Sequence, residues 1–158
     1  MKHTTREKTW WSSVGMGVLA IALLASSLDA YGQTTNDNRK AATREAAAVK
    51  YSSIKVDGLN IAYREAGNPN NPKIVLLHGF PAASHQYRDL IRSLSDNFHV
   101  IAPDYPGFGL SDMPDPAAYD YTFDGISEVV EHFLKLKGFE HYGLYAQDYG
   151  GPIGFRIV

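Results

Sequence analysis

Asp148 stands where an apolar strand runs into a turn of the form small-x-Asp-x-Gly. The segment reads Tyr142-Gly143-Leu144-Tyr145-Ala146-Gln147-Asp148-Tyr149-Gly150-Gly151, and an apolar, helix-like stretch follows from Pro152 to Val158. This is the layout of a nucleophile elbow, with Asp in place of the commoner Ser. The turn is sharp, and Ala146 and Gly150 flank it as residues small enough for the backbone to fold on itself. The following helix points unpaired N–H groups and its positive dipole end at the turn, which favours an ionised carboxylate there. A carboxylate so placed can displace a leaving group from saturated carbon, or open a strained ring, and form an alkyl-enzyme ester. Asp is also a good helix N-cap, and the turn alone does not separate the two roles.

Two upstream segments carry further information. Ile74-Val75-Leu76-Leu77 is a fully apolar run leading into His78-Gly79-Phe80-Pro81. Val100-Ile101-Ala102-Pro103 leads into Asp104-Tyr105-Pro106-Gly107-Phe108-Gly109-Leu110-Ser111-Asp112. With the elbow, and in this order, these segments resemble the α/β-hydrolase superfamily, and within it the epoxide hydrolase and haloalkane dehalogenase branch, whose nucleophile is Asp. The resemblance runs from about Ser52 to Val158.

The resemblance implies that Asp148 is the nucleophile and that water later attacks the carbonyl carbon of the aspartyl ester. Negative charge then develops on a carboxyl oxygen of Asp148, and backbone N–H groups must already face it. By resemblance these belong to Phe80 and Tyr149. Gly79 lets the loop approach closely, and a cis bond is expected before Pro81. In haloalkane dehalogenases the residue after His-Gly is commonly Asn and the one after the nucleophile is Trp, both donating to the departing halide. Phe80 has no side-chain donor, so at most half of that clamp is present. His-Gly-Phe-Pro lies closer to the epoxide hydrolase pattern, and Tyr149 departs from the Trp of both groups. The superfamily order is nucleophile, acid, His along the chain. The acid and the catalytic His are therefore expected beyond Val158, and the chain is expected to be the N-terminal part of such an enzyme. A non-catalytic binding protein, or an inactive fragment of the same fold, is the alternative.

Elements to position these residues are legible. Ser52 to Val56 and Leu59 to Arg64 read as strands joined by Asp57-Gly58, a hairpin turn signal. Ile74 to Leu77, Val100 to Ala102 and Tyr142 to Ala146 read as further strands. Over Ser84 to Leu94 the apolar residues Tyr87, Leu90, Ile91 and Leu94 recur at helical spacing. Thr122 is placed to cap a helix with Ile126, Val129, Val130 and Phe133 on its apolar side, and Gly138 to end it. A hairpin followed by strand–helix alternation predicts an α/β fold, with a mostly parallel sheet and helices on both faces. The family topology puts the 100–102 strand between the hairpin and the 74–77 strand.

The N-terminus carries a different signal. Lys2, Arg6 and Lys8 make a basic start, Val14 to Leu28 is apolar and free of charge, and Ala30-Tyr31-Gly32 offers small residues for a peptidase. This is a secretory signal peptide pattern, and the apolar run is shorter than the roughly 20 residues of a membrane span. The expected organisation is a signal peptide over 1–32, a polar lead-in over 33–50 with a short helix at 41–49, and the hydrolase portion over 51–158. Export to the periplasm or outside the cell follows, with no stable membrane association after cleavage. The chain has no Cys, which excludes disulfides, a Cys nucleophile and thiolate metal sites.

Residues 33–158 hold 12 basic and 15 acidic side chains, a formal charge of −3. That is no footprint for nucleic acid, and a small, mostly apolar substrate is expected. Oligomeric state is left open. His78 reads as structural. His85 and His132 fall in helices, and His99 and His141 begin strands. None pairs with an acid at metal-ligand spacing, so no metal is expected. Gly107-Phe108-Gly109 lacks the third glycine of a dinucleotide fingerprint, and no cofactor is expected. Asp104, at a strand end, is expected to bond the Gly107–Ser111 turn.

Overall fold

The computed structural model describes residues 33–35 and 48–158. The chain divides into two compact units, 1–42 and 43–158. In the first, residues 33–35 are helical and exposed. The expected signal peptide lies outside the described residues. So do residues 41–47 of the expected lead-in helix, while residues 48–49 are not helical. Among the described residues no helix is long and apolar enough to cross a membrane.

The second unit is a five-stranded sheet with helices on both faces. In chain order the strands are β1 (Lys50–Val56), β2 (Leu59–Ala66), β3 (Lys73–Leu77), β4 (His99–Pro103) and β5 (Gly143–Ala146). A 3-10 turn (Ser84–Tyr87) leads into α1 (Arg88–Leu94); α2 is Phe123–Leu136 and α3 is Gly150–Ile157. The strand order is β1-β2-β4-β3-β5, so β4 lies between the hairpin and β3 as the family topology requires. β1–β2 and β2–β4 are antiparallel, and β4–β3 and β3–β5 are parallel.

Alternation along the strands divides the core in two. Val75, Leu77, Ile101 and Tyr63 face α2 and α3, and pack with Ile126, Val129, Val130, Phe133 and Ile153. Leu76, Val100, Ala102 and Ala66 face α1 and pack with Tyr87 and Ile91. Thr122 caps α2 as expected, its Oγ1 accepting from the Gly125 N–H at 3.1 Å, and Gly138 follows the last turn at φ 70°. Phe133 is fully buried and meets the Tyr63 ring edge-on at 5.2 Å. Removing a ring so placed costs about 3–5 kcal/mol.

Several boundaries differ from the sequence expectation; β3 and β4 each run a residue longer at one or both ends, to Lys73–Leu77 and His99–Pro103. The helix expected from Ser84 opens as a 3-10 turn, because the Ser84 N–H is held by the Asp104 carboxylate at 2.7 Å and the Tyr87 hydroxyl by the Leu77 carbonyl at 2.8 Å. These fixed points leave α1 to start at Arg88. β5 begins at Gly143, so His141 precedes it instead of opening it. The hairpin strands extend by two residues at each outer end, to Lys50 and Ala66, because the antiparallel ladder continues through Lys50↔Glu65.

At the end of the sheet away from the elbow, Glu65 accepts from His99 Nε2 at 2.7 Å and from Lys137 Nζ at 2.7 Å. His99 Nδ1 is buried without a partner among the described residues, and Nε2 carries a proton because the Glu65 carboxylate can only accept. Burial opposes the charge on Glu65, but the His99 and Lys137 hydrogen bonds outweigh it and hold the carboxyl at about 2 instead of 4.5. A carboxyl lowered by folding adds stability that is full above pH 4.5 and is lost as pH falls toward 2. Glu65→Gln is expected to lower unfolding free energy by about 1.5–3 kcal/mol at neutral pH. Urea unfolding should show the gap between wild type and variant closing near pH 2, and an equal gap at both pH values would remove the ionised pair as its source.

Candidate active site

β3 and β5 run parallel, with Leu77 opposite Ala146 as the last pair. One further bond, from the Gln147 N–H to the Leu77 carbonyl at 3.2 Å, carries the pairing past the strand end. The chain then turns sharply. Asp148 has φ 52°, in the left-handed region that costs a non-glycine residue about 1–2 kcal/mol. Gly150 and Gly151 N–H groups return to the Gln147 and Asp148 carbonyls at 2.9 and 2.8 Å and start α3. Gly150 lies buried against the end of β3, where a Cβ would run into the Leu77 carbonyl. Ala146, by contrast, is exposed, so the crowding expected on both sides of the turn falls on Gly150.

The chain leaving β3 meets this turn. Gly79 approaches so closely that a Cβ there would sit 2.7 Å from the Asp148 Cβ. The Phe80 N–H donates to Asp148 Oδ1 at 2.9 Å, and the Tyr149 N–H donates to the same oxygen at 2.7 Å. Asp148 Oδ2 accepts no hydrogen bond from the described residues. An N-cap side chain normally accepts an N–H from two or three residues further on. Asp148 instead accepts from its immediate neighbour and from a residue 68 positions earlier, so the simple capping role does not describe it. The Phe80 and Tyr149 bonds lower its carboxyl below the ordinary 3.8.

The loop around Phe80 is held from below. The Phe80–Pro81 bond is cis, as expected. His78 is fully buried and stacks on Tyr105 with ring centroids 3.9 Å apart. Its Nδ1 lies 3.0 Å from the Gly79 carbonyl, which can only accept, so Nδ1 carries the proton. Nε2 then receives the Tyr105 N–H at 3.4 Å. Burial lowers the pKa of the ring, consistent with a neutral His that has both nitrogens engaged. The structural reading of His78 therefore holds. Asp104 accepts from Ser84 N–H at 2.7 Å and Leu110 N–H at 3.0 Å, and its carbonyl accepts the Ser111 hydroxyl at 2.6 Å. It ties three segments together, one more than expected.

Aromatic rings cluster beside the elbow. Phe80 lies 5.4 Å from Tyr149 and 6.3 Å from Phe108, and Phe123 lies 5.1 Å from Tyr149. Phe80 is 60% exposed and Tyr149 37% exposed, so this wall faces outward. Phe108 and Phe123 were not singled out from the sequence. Phe108 sits between two glycines of a turn, the one local sign that its ring is presented, and Phe123 has no such sign. Gln86, also unforeseen, donates to the Gln147 side chain at 3.1 Å and joins the 3-10 turn to the elbow.

Comparison with known proteins agrees with this fold. The family model described as alpha/beta hydrolase fold matches residues 72–158. A Saccharomyces cerevisiae protein called an uncharacterized hydrolase is 44% identical over 110 residues, 69% of this chain and 37% of its own length. Haloalkane dehalogenase 2 of Mycobacterium tuberculosis is 42% identical over 87 residues, 55% of this chain and 30% of its own. Among solved structures, a bacterial membrane phospholipase A superposes with a TM-score of 0.66 at 32% identity, over 91% of this chain and 46% of that one. A Vigna radiata epoxide hydrolase gives 0.64 at 28% identity, over 69% and 34%. The chain thus spans 30–46% of the length of these proteins.

The double hydrogen bond makes a titration prediction. In wild type the Asp148 carboxyl should titrate below the ordinary 3.8, because the folded site favours its ionised form. Gly79→Ala should push the Phe80 loop away and move the midpoint upward. Carbon-detected NMR of the labelled side chain measures both, and an unmoved midpoint in the variant would refute the role given to the Phe80 N–H.

Proposed function

This chain belongs to the α/β-hydrolase fold family, and on that footing we propose that Asp148 is the nucleophile of a hydrolase acting through an alkyl-enzyme ester. The observation that carries the reading is the division of labour within one carboxylate. Oδ1 is fixed by the Phe80 and Tyr149 N–H groups, and Oδ2 is left to attack. The same two donors stand ready for the charge that develops on Oδ1 when water attacks the ester carbon. The lowered pKa keeps the carboxylate ionised throughout the neutral range. His78 does not serve as the base for that water, since both its nitrogens are engaged in the core. That step calls for a separate acid and His.

The rings of Phe80, Phe108, Phe123 and Tyr149 suit a small, mostly apolar substrate. Phe80 offers no side-chain donor to a departing halide, which favours an epoxide-like over a haloalkane-like reaction. Haloalkane dehalogenases and an epoxide hydrolase both stand among the similar proteins. We also propose export through a signal peptide over residues 1–32, on the basic start and short apolar run.

Attack on carbon needs no base, so the ester is open to direct detection. The chain incubated with styrene oxide or 1-bromobutane should gain one alkyl group, located by peptide mass spectrometry on Asp148. Asp148→Asn should gain none, and an adduct that survives this substitution would end the nucleophile reading. For export, N-terminal sequencing of the mature protein should begin at or near Gln33; recovery of Met1 would count against cleavage.

A further inference from the structure

We propose that the open face of the β1–β2 hairpin holds a binding site for a small monocarboxylate, built on Arg64. The site does not depend on Asp148 acting as nucleophile, and it includes neither of the N–H donors that meet that carboxylate. Tyr51 stands opposite Arg64, and Ser53 opposite Ala62, across the hairpin, so the four share one face of the sheet. It is the face that packs on α1 through Ala66 further along β2. Ser53 and Ala62 are too small to fill the space above them. A pocket of about 300 Å³ opens there, with Ser84 and Leu110 also in its wall.

Arg64 gives the pocket its chemistry. It is half-buried and held at two points: Nε donates to Ser84 Oγ at 3.0 Å, and the guanidinium lies 4.5 Å from the centre of the Tyr51 ring. Neither contact satisfies the Nη1 and Nη2 donors. Among the described residues neither nitrogen has an acceptor, and no carboxylate pairs with Arg64. Asp104, the acid in the pocket wall, is taken by the Ser84 and Leu110 N–H groups. A guanidinium partly withdrawn from water favours an anion, and its two outer nitrogens form a fork that fits the two oxygens of a carboxylate. Charge narrows the ligand further. One cation balances a monoanion, and the buried Asp104 carboxylate beside it opposes a dianion such as phosphate. The volume is at the small end of ligand sites. Leu110 and Tyr51, both more than half exposed, offer apolar edges to a short organic body.

Benzoate is the probe, titrated into the full chain and followed by NMR of the arginine side-chain nitrogens and the backbone amides of β1 and β2. The Arg64 and Ser53 signals should shift and saturate, with a Kd of about 1 mM or tighter. Benzamide has a similar shape without the charge and should leave them unmoved. Inorganic phosphate should bind about tenfold more weakly or worse, because of the Asp104 charge. Arg64→Lys keeps the charge and loses the fork, and should weaken benzoate about tenfold or more. Ser53→Leu leaves Arg64 in place and fills the floor, and should abolish binding. Ser53 is exposed on an outer strand, so this change should leave the fold intact. Shifts that rise linearly to about ten times the expected Kd, equal shifts with benzamide, or unchanged affinity in either folded variant would overturn the site. Phosphate bound as tightly as benzoate would overturn the choice of a monocarboxylate.

Discussion

The carbonyl oxygen of Leu77 is the point on which the site is built. It accepts the Gln147 N–H at 3.2 Å and the Tyr87 hydroxyl at 2.8 Å, and Gly150 packs directly against it. One oxygen thus sets the position of the strand bearing the elbow, the turn leading to α1 and the first residue of α3. From Leu77 and its partner Ala146 two chains diverge, one into His78-Gly79-Phe80 and the other into Gln147-Asp148-Tyr149. Their nearness brings the Phe80 and Tyr149 N–H groups to a single carboxylate oxygen. Any side chain at Gly150 would push α3 off this oxygen and separate the donors from Asp148.

The strain at Asp148 is the counterpart of that arrangement. Its left-handed backbone costs about 1–2 kcal/mol, and hydrogen bonds to charged groups contribute about 1.5–3 kcal/mol when well shielded from water. Asp148 is exposed, so the bonds holding it are worth less than that upper range. The rest of the support comes from below, where His78, Tyr105 and Asp104 form a buried polar layer with its hydrogen bonds made. The site is therefore an outward-facing carboxylate on a firmly anchored base.

Much of this was legible because it is local. The strand before Asp148, the Asp57-Gly58 turn and the Thr122 cap each follow from residues within a few positions of one another, and the structure has them. The two donors to Asp148 were reached through family resemblance, since 68 residues separate Phe80 from Asp148, whereas the cis Phe80–Pro81 bond was expected from the tight turn at Pro81 itself. What escaped depends on distance in the chain without a motif to bridge it. Asp104 reaching Ser84, Gln86 meeting Gln147 and the Glu65–His99–Lys137 cluster have no local signature. The 3-10 turn at Ser84 escaped for the same reason, because its cause is a carboxylate on another strand.

The unequal treatment of the two carboxyl oxygens has a consequence for atomic bookkeeping over many cycles. Under the proposed chemistry, Oδ2 leaves in the product alcohol each time the ester is hydrolysed, and a water oxygen replaces it. Oδ1 is held by Phe80 and Tyr149 throughout. If those bonds prevent the carboxylate from rotating between cycles, the oxygen installed when the protein was synthesised stays in place for the life of the molecule. Every alcohol after the first then carries an oxygen that entered from solvent one cycle earlier. The nucleophile would be half permanent and half renewable, with the boundary drawn by two backbone N–H groups.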